Sequence, residues 1–327
     1  MVSIGFQNIL LLLVGFYLLI KGAELLIEGA SALAQKFGLS DLTIALTVVA
    51  FGTSAPELGV NVLSALSNNM DLAVGNIVGS NLANLTLILG ITGLGGIISI
   101  HSKTVWKEIP MLILISVLML ILASDHSLGD GWTPHFSLAD GLTFVLFFLF
   151  FLGYVVNSAL EDKGKVSAEG LVKTMPSWKS VLWILSGVVG LTIGGKWIVD
   201  TSHLIAEALN ISDGIIGLTL VAIGTSLPEL ATSIVAVWKK KPDIAVGNLI
   251  GSNIFNICWV LGVTIFIKPV NVSLYLLEDM YWMIGAEILL FIFLMMSRGA
   301  THSLKRWQSM ILILFYFVFM FNLYLGL

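Results

Sequence analysis

The chain has 327 residues, of which 57% are hydrophobic and 11% charged, and its mean hydropathy of +0.99 is typical of a membrane protein. The net charge of −4 and the pI near 5.7 exclude a protein that binds nucleic acid through its overall charge. The apolar composition also leaves no stretch long enough for a soluble domain.

The hydropathy pattern predicts ten membrane-spanning helices. In chain order they cover approximately residues 6–28, 40–66, 71–97, 108–124, 138–159, 181–204, 213–238, 243–267, 274–297 and 304–326. Each is close to the roughly 20 residues that a spanning helix needs. The first stretch has neither a basic leader nor a small-residue cleavage site, so we expect a retained helix and not a signal peptide. The predicted fold class is an all-α polytopic membrane protein.

Cations occupy every second predicted loop. They are Lys36, Lys103, Lys107, Lys163, Lys165, Lys173, Lys179, Lys239, Lys240, Lys241, Arg298, Lys305 and Arg306. The intervening loops contain only Lys268. The positive-inside rule therefore predicts a multi-pass protein of the cell membrane with both termini outside.

The chain contains an internal repeat. Residues 50–90 align without a gap to residues 222–262 at a constant offset of 172, with 18 of the 41 positions identical. Five helices per half is an odd number, so the second half enters the membrane inverted relative to the first. We predict a first repeat over 1–160, a cytoplasmic linker over 161–180 and a second, inverted repeat over 181–327.

The first repeated motif is Gly52-Thr53-Ser54-Ala55-Pro56-Glu57, near the middle of a predicted span. Pro56 has no N–H for the carbonyl of Gly52, so the helix is predicted to break there and to free backbone carbonyls. Glu57 follows Thr53 by four residues, which would place both on one helical face. Pro228 predicts the same break in the second half, beside Thr225, Ser226 and Glu229.

These two broken helices carry the chemistry of a cation site. Two carboxylates, hydroxyls and free carbonyls form an all-oxygen ligand set, which suits Ca²⁺ and Na⁺ and does not suit Zn²⁺ or Cu⁺. An ionisable residue at the centre of a bilayer costs roughly 2.5–3.5 kcal/mol even on the lenient insertion scale. Because Glu57 and Glu229 incur this cost at equivalent positions, a binding function is favoured over packing alone.

The second repeated motif is Gly79-Ser80-Asn81-Leu82-Ala83-Asn84, which returns as Gly251-Ser252-Asn253-Ile254-Phe255-Asn256. Ser80 and Asn84 share a helical face, as Ser252 and Asn256 do, and they offer oxygen ligands without charge. The glycines at 75, 79, 247 and 251 predict close helix approach, and for them packing is as good an explanation as binding.

Other membrane-embedded charges carry less information. Glu24 aligns with Lys196 on the first helix of each half, where pairing or snorkelling near a helix end is expected. Glu287 has no acidic counterpart in the other half and receives no assignment. All five histidines fall in predicted loops or near span ends, so no buried general base is available for an intramembrane hydrolase. We therefore predict a secondary transporter and not an enzyme.

With both motifs matched in both halves, the chain resembles the calcium/cation antiporter superfamily, and most closely its prokaryotic sodium/calcium exchangers. The resemblance covers essentially the whole chain and implies ten helices in two inverted repeats, with four cation positions between them and no cofactor. Glu57 and Glu229 would be shared, and the carbonyls of Thr53 and Thr225 would complete a Ca²⁺ position. The remaining implied ligands, for two flanking Na⁺ positions and a middle position, are the carbonyls of Ala50 and Ala222 with Ser54, Ser226, Ser80, Ser252, Asn84 and Asn256.

Two departures refine the expected function. Several relatives, including the potassium-dependent exchangers, have Asp where this chain has Asn256, so potassium transport is disfavoured. The proton-coupled calcium exchangers have acidic residues where this chain has Gly-Ser-Asn. We expect exchange of about three Na⁺ for one Ca²⁺ by alternating access, with the first helix of each half sliding and with the lipid bilayer and the two ions as the only partners. The alternatives are an H⁺/Ca²⁺ antiporter, a cation channel and a non-transporting membrane binding module.

Overall fold

A computed structural model describes residues 6–124, 134–162, 175–208, 222–297 and 302–326. The first part of the predicted span 213–238 and most of the predicted linker 161–180 lie outside the described residues. The described helices are α1 (Phe6–Phe37), α2 (Asp41–Thr53), α3 (Ala55–Leu66), α4 (Met70–Leu94), α5 (Thr104–Ser124), α6 (Leu138–Asp162), α7 (Ser177–Ala208), α8 (Ala222–Thr225), α9 (Leu227–Trp238), α10 (Pro242–Ile267), α11 (Leu274–Met295) and α12 (Arg306–Gly326).

The predicted helical membrane fold is confirmed. Within the described residues, 7 helices are long and apolar enough to cross a bilayer, and α2 with α3 makes an eighth span that is bent by 45°. The count of ten stays a prediction. Helices α1 and α7, called the outer helices below, have 32 residues each and are longer than the predicted spans 6–28 and 181–204. Lys36, expected in a loop, consequently lies in the last turn of α1.

The breaks predicted at the two prolines are present. The chain leaves helical geometry at Ser54 (φ −86°, ψ 9°) between α2 and α3, and at Ser226 (φ −87°, ψ 4°) between α8 and α9. Each proline is the second residue of the next helix, where its missing N–H leaves no helical bond unmade. Thr53 and Glu57, which we expected on one helical face, lie on either side of the break at Ser54, Thr53 at the end of α2 and Glu57 in the first turn of α3.

The central helices α4 and α10 cross at a pair of asparagines. The side chain of Asn81 donates to the carbonyl of Asn253 (3.1 Å), and that of Asn253 donates to the carbonyl of Asn81 (2.9 Å). Reciprocal contacts of this kind arise when two equivalent segments are related by a two-fold axis. The contact therefore supports the predicted relation between the halves.

Two short antiparallel ladders also connect the halves, and the sequence did not predict them. Strand β1 (Ile98–Ile100) pairs with β4 (His302–Leu304), and β2 (His135–Phe136) pairs with β3 (Val270–Asn271). Each ladder joins a strand of the first half to a strand of the second. The inverted repeat itself stays a prediction.

Helices α1 and α7 pack against each other in antiparallel fashion along a line of glycines. A Cβ added to Gly22 would lie 2.7 Å from the nitrogen of Leu191, and one added to Gly187 would lie 2.6 Å from the nitrogen of Leu26. Side chains at these positions would force the helices apart, so glycine allows backbone contact here. On the exposed side of α1, Lys21 pairs with Glu24 at 2.6 Å, as expected for Glu24.

Candidate cation site

The two predicted acidic residues lie at the helix breaks in the middle of the fold. Glu57 is in the first turn of α3 and Glu229 is in the first turn of α9, and both side chains are 0% exposed. Each carboxylate is close to the positive end of its own helix dipole, which stabilises negative charge.

Glu229 is held by hydroxyls from both halves. Its Oε1 accepts hydrogen bonds from Ser54 Oγ (3.1 Å) and Ser252 Oγ (3.3 Å). Its Oε2 has no hydrogen-bond partner. The structure therefore places Ser54 of the first motif and Ser252 of the second on the same carboxylate.

Glu57 has a different environment. Neither of its carboxyl oxygens has a hydrogen-bond partner, and the buried hydroxyl of Ser226, the counterpart of Ser54, has none either. A buried carboxylate without a partner is strongly unfavourable unless a proton or a cation compensates for its charge. Together with Oε2 of Glu229, these atoms form a set of oxygens that a cation would satisfy.

The two threonines fasten the broken helices to the central ones. Thr53 Oγ1 donates to Asn248 Oδ1 of α10 (3.0 Å), and Thr225 Oγ1 donates to Asn76 Oδ1 of α4 (3.2 Å). These hydrogen bonds fix the position of each threonine at its helix break. The carbonyl of Ala50 accepts hydrogen bonds within its own helix, and Ala222 is the first described residue of α8.

The asparagines of the second motif present oxygens to the site. Asn256 Nδ2 donates to Asn81 Oδ1 (3.1 Å) and Ser80 Oγ (3.4 Å), and Asn84 Nδ2 donates to Asn253 Oδ1 (2.9 Å). The Oδ1 atoms of Asn84 and Asn256 are buried without a partner. Because the protein engages the NH₂ groups, the amide oxygens remain available as neutral ligands.

The donor set fits a hard cation. The buried oxygens without partners are Glu57 Oε1, Glu57 Oε2, Glu229 Oε2 and Ser226 Oγ at the helix breaks, and Asn84 Oδ1 and Asn256 Oδ1 on the central helices. Among the described residues, no group of three or more His, Cys, Asp or Glu side chains is arranged to hold a metal ion. Two carboxylates with neutral oxygens suit Ca²⁺ or Na⁺, which accept carbonyl and hydroxyl ligands.

The glycines of the motif differ between the halves. Close approach is confirmed at Gly247 and Gly251, where an added Cβ would lie 2.8 Å from Ala45 Cβ and 2.9 Å from Ala50 Cβ. At Gly79 no heavy atom of the described residues comes within 4 Å of such a Cβ. Most of the segment equivalent to α2 in the second half, residues 213–221, is outside the described residues.

Several features of this region were not predicted as part of the site. Asn76 and Asn248 hold the threonines, although only their identity in both repeats pointed to a role. π-Helical turns begin at the motif residues Asn84 and Asn256 and cover Asn84–Ile88 and Asn256–Leu261. No sequence pattern predicts such turns. Glu287 of α11 is also fully buried and accepts a hydrogen bond from Ser116 Oγ at 2.7 Å.

The fold and the site define a class of protein. A helical membrane protein with a buried, oxygen-lined pair of carboxylates at two helix breaks is built as a secondary transporter of cations. The chain belongs to the sodium/calcium exchanger protein family, whose model matches residues 7–157 and 179–325. It is therefore a multi-pass membrane protein and a cation/Ca²⁺ antiporter, not an enzyme.

The individual relatives agree with this family. The chain is 32% identical to the sodium/calcium exchanger MaX1 of Methanosarcina acetivorans, over 97% of this chain and 98% of MaX1. It is 36% identical to the inner membrane protein YrbG of Escherichia coli (strain K12), over 79% of each chain. A solved structure of the sodium-calcium exchanger NCX_Mj, soaked with 10 mM Na⁺ and zero Ca²⁺, is similar with a TM-score of 0.81 and 27% identity, over 97% of this chain and 98% of that one.

Proposed function

We propose that the protein exchanges Na⁺ for Ca²⁺ across the cell membrane by alternating access, with both ions competing for Glu57 and Glu229. The observation that carries this proposal is the set of buried oxygens without partners at the two helix breaks. A buried charge must be compensated, and the described residues place no lysine or arginine against either carboxylate in an ion pair. The transported cations supply that compensation.

Charge balance supports competition between the two ions. The pair of carboxylates carries a charge of about −2 when ionised, which one Ca²⁺ neutralises. Na⁺ ions can replace the Ca²⁺ if neutral oxygens also act as ligands. About three Na⁺ can be accommodated in an all-oxygen cluster of this kind. One extra positive charge would then enter per cycle, a contribution of about 2.3 kcal/mol per 100 mV of membrane potential.

The hydrogen bonds support a division of ligands between positions. Ser54 and Ser252 share the Oε1 atom of Glu229, so these three residues form one flanking Na⁺ position. By the internal repeat, Ser226 and Ser80 form the other with Glu57. Each flanking position is completed by a carbonyl, Ala50 in the first half and Ala222 in the second.

The middle of the site is assigned to the remaining predicted ligands. The carbonyls of Thr53 and Thr225 complete a Ca²⁺ position between Glu57 and Glu229. Asn84 and Asn256 line the middle with neutral oxygens, and neither adds a charge. Exchange is therefore independent of K⁺, because no third carboxylate is available to balance another cation.

Alternating access needs an element that moves past the site. Helices α1 and α7 form an antiparallel pair with backbone contact at their glycines, and neither supplies a predicted ligand. We assign the sliding motion to this pair. Both termini are outside and the loop Lys239–Lys241 is cytoplasmic, as the positive-inside rule predicts.

Ca²⁺ flux in purified, reconstituted protein tests the proposal. Proteoliposomes loaded with Na⁺, with a proton gradient alone, or with no gradient are given external Ca²⁺, and uptake is followed. Na⁺/Ca²⁺ exchange predicts uptake in the Na⁺-loaded vesicles only. Uptake driven by the proton gradient alone would instead show an H⁺/Ca²⁺ antiporter, uptake at equal rates without a gradient would show a channel, and binding without uptake would show a non-transporting module.

A further inference from the structure

In the first half, a chain of hydrogen bonds runs outward from the cation site without interruption. Thr225 Oγ1 donates to Asn76 Oδ1 (3.2 Å), and Asn76 Nδ2 donates to Asn61 Oδ1 (2.8 Å). Asn61 Nδ2 then donates to the carbonyl of Ala73 (3.0 Å). Asn61 is four residues after Glu57 on α3, so the chain occupies the helical face that leads away from that carboxylate.

In the second half, the same chain is interrupted. Thr53 Oγ1 donates to Asn248 Oδ1 (3.0 Å), as the repeat requires. The position equivalent to Asn61 is Ser233, which is four residues after Glu229 on α9. Asn248 Nδ2 and Ser233 Oγ are both buried, and neither has a hydrogen-bond partner.

The physical reason is the length of the side chain. Serine lacks the terminal amide group of asparagine, so its hydroxyl stops short of the place where the Asn61 amide meets Asn76. The hydroxyl falls short by about one covalent bond, so the direct hydrogen bond to Asn248 is lost, and a water molecule beside the two groups can accept from Asn248 Nδ2 and donate to Ser233 Oγ. Such a water makes typically about three hydrogen bonds when it is buried.

A third polar group lies on the same turn of α9. Thr232 Oγ1 is fully buried and has no hydrogen-bond partner, and Thr232 precedes Ser233 on α9. The equivalent residue of the first half is Val60, which has no polar atom in its side chain. The second half therefore has three polar side-chain groups without partners in this region, whereas in the first half Asn76 donates directly to Asn61.

We propose that Ser233 and Asn248 form a buried hydration site for a water molecule, one helical turn from Glu229 in the direction of Lys239–Lys241. The water rehydrates a cation as it leaves the central cluster toward that side of the membrane. On the other side, the direct contact between Asn61 and Asn76 closes the equivalent position. At this pair of equivalent described positions, the side toward Lys239–Lys241 is hydrated and the other is closed.

The role of this water in transport rests on the proposed function, whereas the presence of the water does not. An experimental structure of the full-length protein that resolves ordered waters provides the first test. We expect density at about 2.7–3.2 Å from both Ser233 Oγ and Asn248 Nδ2. In Ser233→Asn the new amide should replace this density with a direct bond to Asn248, and in the mirrored control Asn61→Ser a water should appear beside Asn76.

The second test measures exchange. Filling the site with Ser233→Asn should slow Ca²⁺ exchange by about fivefold, the equivalent of about one hydrogen bond, while equilibrium Ca²⁺ binding stays unchanged. If that variant does not fold, Ser233→Ala keeps the space but removes one partner, and it should weaken the density and slow exchange in the same direction. Wild-type protein without density between Ser233 and Asn248, or normal exchange by both variants, would overturn the proposal. Failure of the proposed function has a different signature, namely no Na⁺-driven uptake by the wild-type protein.

Discussion

The contact between the central helices α4 and α10 and the contact between the outer helices α1 and α7 depend on different interactions. In the most apolar 18-residue stretch of α4, and in that of α10, 78% of the residues are buried, and directional hydrogen bonds between asparagines and a serine hydroxyl fix the register of these helices. In the corresponding stretches of α1 and α7, 28% of the residues are buried, and at their glycines the contact is between backbones. A site that must hold ligand oxygens within tenths of an ångström needs the first kind of contact, whereas an element that slides is better served by the second.

The largest effect expected in the central region is the loss of either carboxylate. Glu57→Gln and Glu229→Gln each remove a charged ligand from a hard-cation site. We expect Na⁺-driven Ca²⁺ uptake to fall at least about 100-fold, since even losing an outer partner of a metal ligand reduces affinity by about 10–100-fold. The measurement is uptake by proteoliposomes at equal protein content.

Glu24→Gln is the matched control for these two variants. Glu24 is also a glutamate on a membrane helix, but it is partly exposed and already paired with Lys21. Its replacement should leave uptake within about twofold of wild type, because an exposed ion pair is worth about 0–1 kcal/mol. Near-normal uptake by Glu57→Gln or Glu229→Gln would refute the shared site.

The next effect concerns the glycine contact between the outer helices. In Gly187→Val the new Cβ would lie 2.6 Å from the nitrogen of Leu26 and 2.7 Å from the carbonyl of Gly22, so the helices must separate. We expect a loss of about 1–3 kcal/mol in stability, as for other overpacked contacts, and a slower maximal rate of exchange. The measurements are thermal unfolding in detergent, the maximal rate, and equilibrium Ca²⁺ binding.

Gly153→Val on α6 is the control, because an added Cβ there meets no heavy atom of the described residues within 4 Å. It should change neither the melting temperature nor the rate appreciably. If Gly187→Val is destabilised and its Ca²⁺ binding falls in proportion, the outer pair supports the site statically, and the division between a fixed centre and a sliding pair is wrong.

A smaller, pH-dependent effect is expected at the middle of the site. Asn256→Asp replaces the NH₂ group that donates to Ser80 and Asn81. Burial beside two carboxylates favours the protonated form of the new carboxyl, which is neutral like asparagine. Relative to wild type at the same pH, exchange should therefore persist at neutral pH and decline as rising pH ionises the group, because wild type has no titrating residue at 256. A pH–rate profile parallel to that of wild type would contradict this account.

The smallest expected effect is that of potassium. Because Asn256 is neutral, Na⁺-driven Ca²⁺ uptake should be the same in K⁺ medium and in choline medium. The comparison is made at fixed membrane potential, since K⁺ can change the driving force of an electrogenic carrier. Loss of uptake on removal of K⁺ would show that a neutral side chain at 256 does not exclude K⁺ coupling.

The sequence predicted those parts of the molecule that depend on single residues. Pro56 and Pro228 predicted the breaks because a missing N–H is a local property, and Glu57 and Glu229 stood out because buried charge is costly anywhere in a membrane. The roles of Asn76 and Asn248 could not be predicted, since they depend on which helices meet. The full length of α1 was missed because its polar last turn, which ends at Phe37, continues as helix where the hydropathy pattern stops.

Competition between the two ions tests the central claim most directly. If Na⁺ and Ca²⁺ share Glu57 and Glu229, an empty or partly filled cluster keeps uncompensated charge in a low-dielectric region, and the carrier crosses readily only when it is neutralised. Initial rates of Ca²⁺ uptake are measured while Na⁺ is raised on the same side as Ca²⁺. The account predicts that Na⁺ weakens apparent Ca²⁺ affinity with a Hill coefficient above one and leaves the maximal rate at saturating Ca²⁺ unchanged. Inhibition that saturating Ca²⁺ does not overcome would place Na⁺ at a separate site and contradict the account.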